Sequence, residues 1–215
     1  MKVSKYQPPL ALRPTQYSVG MKEIEHEAKK LRKLGPKKLR SVIRKTKVPV
    51  VVSPWKDLYL TDRHHYVFAC SLAGVRKVRI HVVKDHSKSR TSYRQFWRQM
   101  RRERLAYTQD QFGDGPRSPL YLPNDIRGLA DDPYRSLAWL VRKEGGYRES
   151  DEPFAEYRWA NLFRRRRLLE SKGRRGLVPA LKQSLDLARS PAAKRLPGYI
   201  GRKGRRGEVK KDTKH

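Results

Sequence analysis

Asp62-Arg63-His64-His65 sets a carboxylate, a guanidinium and two imidazoles on consecutive positions. Side chains of these types bind phosphate, move protons and ligate divalent ions. Lys22 and Glu23 form a second, smaller group: a lysine can hold a phosphate while the acid beside it takes a proton or a metal. Thr15 and Gln16 add hydrogen-bond donors just ahead of that pair. Asp62, one histidine and Glu23 would suit a divalent ion such as Mg2+ or Mn2+. Both histidines on one ion would not, because neighbouring helical side chains diverge by roughly 100°. The plain alternative is a capped helix with a solvated polar first turn, and a solvated Lys-Glu pair on another helix. His81 and His86 read as strand and loop residues. There is no Walker loop, zinc-finger spacing or Gly-x-Ser-x-Gly elbow.

The surrounding pattern says how these groups are carried. Leu58-Tyr59-Leu60 alternates as a strand does, and from Asp62 the period changes: Tyr66, Ala69, Cys70 and Ala73 keep helical spacing, with Gly74 as a stop. Asp62 has N-cap chemistry, which places Arg63, His64 and His65 in the first turn. Unpaired N–H groups and the positive dipole end meet there, a ready anion site. Residues 20–34 read as a helix with Ile24, Ala28 and Leu31 on one face, closed by Gly35-Pro36, and residues 37–47 have room for another turn. The β-branched run Val48–Val52 reads as a buried strand that turns through Ser53–Asp57 into Leu58–Leu60. Residues 77–83 alternate as a further strand. A helix over about 92–107 puts Tyr93, Phe96, Trp97 and Met100 in a core stripe, and Arg94, Arg98, Arg101 and Arg102 on the other face. Asp131-Asp132-Pro133 and Ser150-Asp151-Glu152-Pro153 each look like a helix start, the second helix running into Arg164–Arg167. A short helix is expected over 177–188, and a disordered basic arm beyond Pro191.

The segment Leu12-Arg13-Pro14 through Lys22-Glu23, the Val48–Val52 strand, the hairpin and the Asp62 helix together resemble the ParB/sulfiredoxin fold. More narrowly, the D-x-H-H signature at Asp62–His65, with Leu129–Trp139 and Glu144-Gly145-Gly146-Tyr147, resembles the group of ParB-like nucleases, over about residues 8–165. The resemblance implies an α+β architecture: a small mixed sheet with flanking helices, then a helical, strongly basic C-terminal extension. It implies a core over 8–110 and a helical subdomain over 111–170; outside the resemblance, charge and composition predict a basic, partly disordered tail over 171–215. By the same likeness, Lys22, Arg63, His64 and His65 would bind phosphate or nucleotide, with Glu23, Asp62, His64 and His65 as catalytic groups. Arg63 falls where sulfiredoxins carry their nucleophilic cysteine, and Cys70 lies too far along the helix to replace it. The signature also departs from the Gly-Glu-Arg-Arg run of the partition protein ParB, so neither relative's nucleotide specificity carries over.

A formal net charge of +31 from 52 Lys+Arg in 215 residues destabilises any compact state by self-repulsion and calls for a polyanionic partner. Nucleic acid fits best, DNA ahead of RNA. The expected contacts are Arg98, Arg101 and Arg102 on one helix and Arg164, Arg165, Arg166 and Arg167 on another. From Asn161 onward eighteen Lys and Arg face four Asp and Glu. The single Cys70 excludes an intramolecular disulfide and suits a reducing compartment. No run has signal-peptide or membrane-spanning character, so a cytoplasmic protein without membrane contact is expected. The functional expectation is a ParB-like nucleic-acid-binding protein with a phosphate or nucleotide site at a helix N-terminus and phosphodiester hydrolysis as its reaction. A non-catalytic DNA- or RNA-binding module and a nucleotide-dependent small-molecule kinase are the alternatives. A divalent metal, a nucleotide or neither would serve as cofactor, and the oligomeric state stays open.

Overall fold

The computed structural model describes residues 3–169 and 176–201. The chain divides into two units, Met1–Asp132 and Pro133–His215. In the first, strands β1 (Tyr6–Gln7), β2 (Leu12–Pro14), β4 (Lys47–Val52), β5 (Leu58–Leu60) and β6 (Val78–Asp85) form a mixed sheet in the order β1-β6-β4-β5-β2. The β4–β5 hairpin is antiparallel, while β4–β6 and β2–β5 run parallel. A separate parallel pair joins β3 (Ser18–Val19) to β7 (Ala130–Asp131). The resulting architecture is α+β with a mixed sheet, as the sequence leads one to expect.

Strand alternation sorts side chains into two cores. Val48, Val50 and Leu60 point into one, with Leu12, Val67, Ala69 and Cys70, against helices α1 (Met21–Arg32) and α3 (His64–Leu72). Val51 and its cross-strand partner Tyr59 point the other way, into Phe96, Trp97 and Met100 of α4 (Tyr93–Arg102). A strand covered on both faces needs an unbroken apolar run, which is what Val50-Val51-Val52 supplies. Each fully buried valine or leucine contributes roughly 2 kcal/mol. Helix α2 (Pro36–Lys45) is a full helix rather than a turn; Leu39, Val42 and Ile43 rest half-buried on the first core.

Three boundaries depart from expectation. Asp62 is not the cap of α3: the N-cap is Arg63, in left-handed backbone (φ 63°, ψ 29°). The Asp62 carboxylate instead accepts the Arg63 N–H at 2.7 Å and so steadies that turn. Helix α4 stops at Arg102, because Arg104 adopts φ 55° and breaks the helical course. In the second unit α5 (Pro133–Lys143) begins at its proline as expected, but α6 (Ala155–Arg165) begins after Phe154, again left-handed (φ 60°), rather than at Pro153.

Helices α5, α6 and α7 (Leu177–Arg189) bury Leu137, Val141, Trp159, Phe163, Ala180 and Ala188 against one another. Residues 191–201 do not leave this unit as a loose arm. Trp159 Nε1–H donates to the Pro197 carbonyl at 2.8 Å, the Arg148 N–H donates to the Gly198 carbonyl at 2.8 Å, and Ala193 is fully buried. Of the expected tail, 171–175 and 202–215 lie outside the described residues. Among the described residues no helix is long and apolar enough to cross a membrane.

Candidate functional site

Helices α1 and α3 lie against each other with their N-termini together, so two positive dipole ends face one region. What joins them is His65. It sits in the first turn of α3, and its Nε2 accepts the N–H of Gly20, the N-cap of α1, at 3.0 Å. The same nitrogen lies 3.5 Å from Glu23 Oε2. Both side chains are largely enclosed, 15% and 14% exposed. Two of the expected site residues therefore meet across a helix pair, although 42 positions separate them in the chain.

His64, one residue earlier, points inward. It is buried, and its Nε2 accepts the Thr15 N–H at 3.2 Å. That assigns the ring proton to Nδ1, leaving it to serve the Leu60 carbonyl, which also accepts the Thr15 hydroxyl at 2.8 Å. Burial, with a smaller push from neighbouring His65, drives the imidazole pKa down to about 3, against a weaker upward pull from the Leu60 carbonyl. His64 is thus a neutral tie between β2, β5 and α3.

The remaining candidates divide by exposure. Asp62 and Arg63 stand at the surface ahead of α3. Lys22 is exposed in the first turn of α1, its ammonium 3.0 Å from Glu25. Thr15 and Gln16 are both buried; Gln16 Nε2 donates to the Ser18 carbonyl at 2.8 Å. Of the imagined metal set, Glu23 and His65 meet while Asp62 stays on the outside. Among the described residues no group of three or more His, Cys, Asp or Glu is arranged to hold a metal ion.

One participant escaped the sequence reading. The Asp131 carboxylate accepts the Met21 N–H at 3.0 Å and so caps α1. Asp131 looked like the start of α5; the parallel pairing of Val19 with Asp131 carries it to α1 instead. Only a long-range register reveals that. Cys70 lies deep on α3, where burial raises its thiol pKa to about 11, a weak lowering from Tyr66 notwithstanding. It stays protonated and inert.

The basic helices present their charge as expected. Arg98, Arg101 and Arg102 are exposed on α4, opposite buried Phe96, Trp97 and Met100. In the second unit Arg165, Arg166 and Arg167 are exposed at the C-terminal end of α6, where cations suit the helix dipole. Arg164 is only half-exposed, its guanidinium 5.1 Å from the Tyr134 ring centre.

Residues 9–165 match the family described as "Putative ParB-like nuclease". The chain belongs to that family. A crystal structure of protein Atu1540 from Agrobacterium tumefaciens is similar, with a TM-score of 0.77 and 36% identity over 91% of this chain and 97% of that one. No curated protein matches the chain. The family match takes in the β2–α1 segment, the D-x-H-H turn and α5–α6, and so includes both helix mouths and the arginine-bearing helices α4 and α6.

Proposed function

We propose that this ParB-like protein binds nucleic acid through its arginine-bearing helices and hydrolyses a phosphodiester at the paired mouths of α1 and α3. The observation that carries the proposal is the placement of His65 Nε2, 3.0 Å from the Gly20 N–H and 3.5 Å from Glu23 Oε2. As a neutral ring His65 accepts from Gly20; once protonated, the same nitrogen donates to Glu23 instead. A group that exchanges partners on taking a proton is suited to general acid–base work. In this reading the Glu23–His65 pair takes the proton of an attacking water as its oxygen bonds to phosphorus. The pair then returns the proton to the oxygen that leaves. Lys22 and Arg63, both exposed beside the mouths, neutralise the phosphate. Asp62 fixes the turn that presents Arg63, and His64 positions its neighbour from below without meeting substrate.

Nicking of supercoiled plasmid, in buffers with and without Mg2+ or Mn2+, tests this. His65→Ala and Glu23→Gln should each lower the rate by about 100-fold or more while DNA affinity changes little. Nicking at the wild-type rate by both variants would remove the site.

A second reading has an observation of its own. The Gly20 and Met21 N–H groups at the α1 mouth are already taken by His65 and Asp131, so an entering phosphate competes with the protein's own acceptors. That favours a non-catalytic nucleic-acid binder. It would show salt-sensitive affinity and no nicking with any variant.

A further inference from the structure

Away from the helix mouths, the first unit carries a cleft of about 330 Å³ that neither the proposed reaction nor the basic surfaces use. Trp55, Tyr59 and Tyr93 give it an aromatic wall. Trp55 and Tyr93 stack with ring centres 5.3 Å apart at 23°, and Tyr59 meets Trp55 edge-on at 6.2 Å. Leu120 joins the lining from the 118–122 segment, which is fastened where the Tyr17 hydroxyl donates to the Ser118 carbonyl. Trp55, Tyr93 and Leu120 keep 38%, 37% and 70% of their surface open to solvent, a high exposure for large apolar side chains that line one cleft.

The cation in the polar part of the wall is already paired. Arg13 Nη1 lies 2.6 Å from Asp57 Oδ2, and its Nη2 donates to Asn124 Oδ1 at 2.6 Å, so the guanidinium is neutralised and engaged. The Asp57 carboxylate, paired with Arg13, can still accept hydrogen bonds from N–H groups. Such a cleft fits an uncharged planar ring with N–H donors on its edge. Outside it, exposed Arg90 and Arg94 flank Tyr93 in the chain and suit the phosphates on either side of that ring. On a molecule of net charge +31, this combination of stacking faces within and cations at the border matches one polymer.

We propose that the Trp55–Tyr93 cleft takes an unpaired nucleobase of single-stranded nucleic acid, giving the protein a grip on unwound or terminal strands. The proposal rests on the nucleic-acid-binding reading but not on hydrolysis at Glu23 and His65. A proline-rich peptide is the other occupant aromatic clefts accept; the charge balance argues against it.

The test measures affinities of the full chain for a labelled single strand of about twelve nucleotides, the same strand with abasic sites, the matching duplex, free mononucleotides and a proline-rich peptide. Trp55→Ala and Tyr93→Ala should weaken the single strand about tenfold and leave duplex affinity unchanged, which also shows that the variants fold. Trp55→Phe should restore most of the loss, and abasic strands should bind wild type and Trp55→Ala alike. Mononucleotide binding lost in Trp55→Ala, with no change for the strand, would overturn the polymer as ligand. Equal loss on duplex and single strand would overturn the base-stacking role, as would a Trp55-dependent peptide complex without strand binding. Failure of the wild type to bind any nucleic acid would end both this proposal and the reading beneath it. Catalytic failure alone would touch only the other site.

Discussion

His64 and His65 are adjacent in the chain and opposite in chemistry. One is sealed in the interior with both nitrogens engaged; the other sits largely enclosed between two helix ends. Because the folded His64 pKa is depressed to about 3 from 6.5, the unfolded chain binds more protons between those values. Its contribution to stability is therefore complete above pH 6.5 and is lost as the pH falls toward 3, by about 1.4 kcal/mol per pH unit. Urea titrations across that range should show His64→Gln with a flatter pH profile than wild type. At neutral pH, His64→Ala strands the Thr15 N–H, while the Leu60 carbonyl keeps the Thr15 hydroxyl, and should cost about 1–3 kcal/mol in the same measurement. His65→Ala should cost less than His64→Ala. The sequence displays both imidazoles equally, because composition and spacing carry no record of which face of α3 meets the sheet.

At the scale of elements, the start of a helix decides what its first turn presents. Asp62 was expected to cap α3, yet Arg63 takes the cap in left-handed backbone and Asp62 holds that turn from outside. Phe154 repeats the device ahead of α6. In contrast α1 borrows its cap from Asp131, so Asp131→Ala should destabilise the protein by about 1 kcal/mol by thermal melting. The loss should appear first as faster amide exchange in the opening turn of α1. What periodicity could show was shown: the β4–β5 hairpin, α1 and the buried face of α4, with the exception of exposed Tyr93, sit where their apolar spacing places them. The β3–β7 pair left no such trace, since two-residue strands are too short to carry a period. The 191–201 segment likewise gave no sign of its place, since nothing in so short a stretch marks the Pro197 and Gly198 carbonyls as acceptors for the Trp159 indole and the Arg148 N–H. Gly198 stands at φ 71°, where an added Cβ would meet the Arg148 carbonyl oxygen at 2.0 Å. Gly198→Ala should accordingly lower the melting temperature of the second unit.

For the whole molecule, charge sets the relation between stability and binding. Removing residues 202–215 takes away seven Lys and Arg, Arg202 to Lys214, and leaves the bonds of 191–201 in place. That truncation should flatten the salt dependence of duplex affinity, by about 0.9 in log K per log salt for each phosphate no longer neutralised. A cut at 190 should instead unfold part of the second unit and confound the measurement. Titration of affinity against salt for both truncations separates the two effects. An unchanged slope for the shorter cut would take the last fourteen residues out of the binding surface.

The sequence by itself determined the α+β architecture, the ParB-like kinship and the cationic character of the molecule. Each is written in local periodicity, in a short signature or in a sum over residues. Only the tertiary structure decided that His65 rather than His64 meets Glu23, that Asp131 serves α1, and that Trp55, Tyr93 and Leu120 line one cleft. Those are facts of register and helix facing, set by which distant surfaces pack together, and no window along the chain contains them.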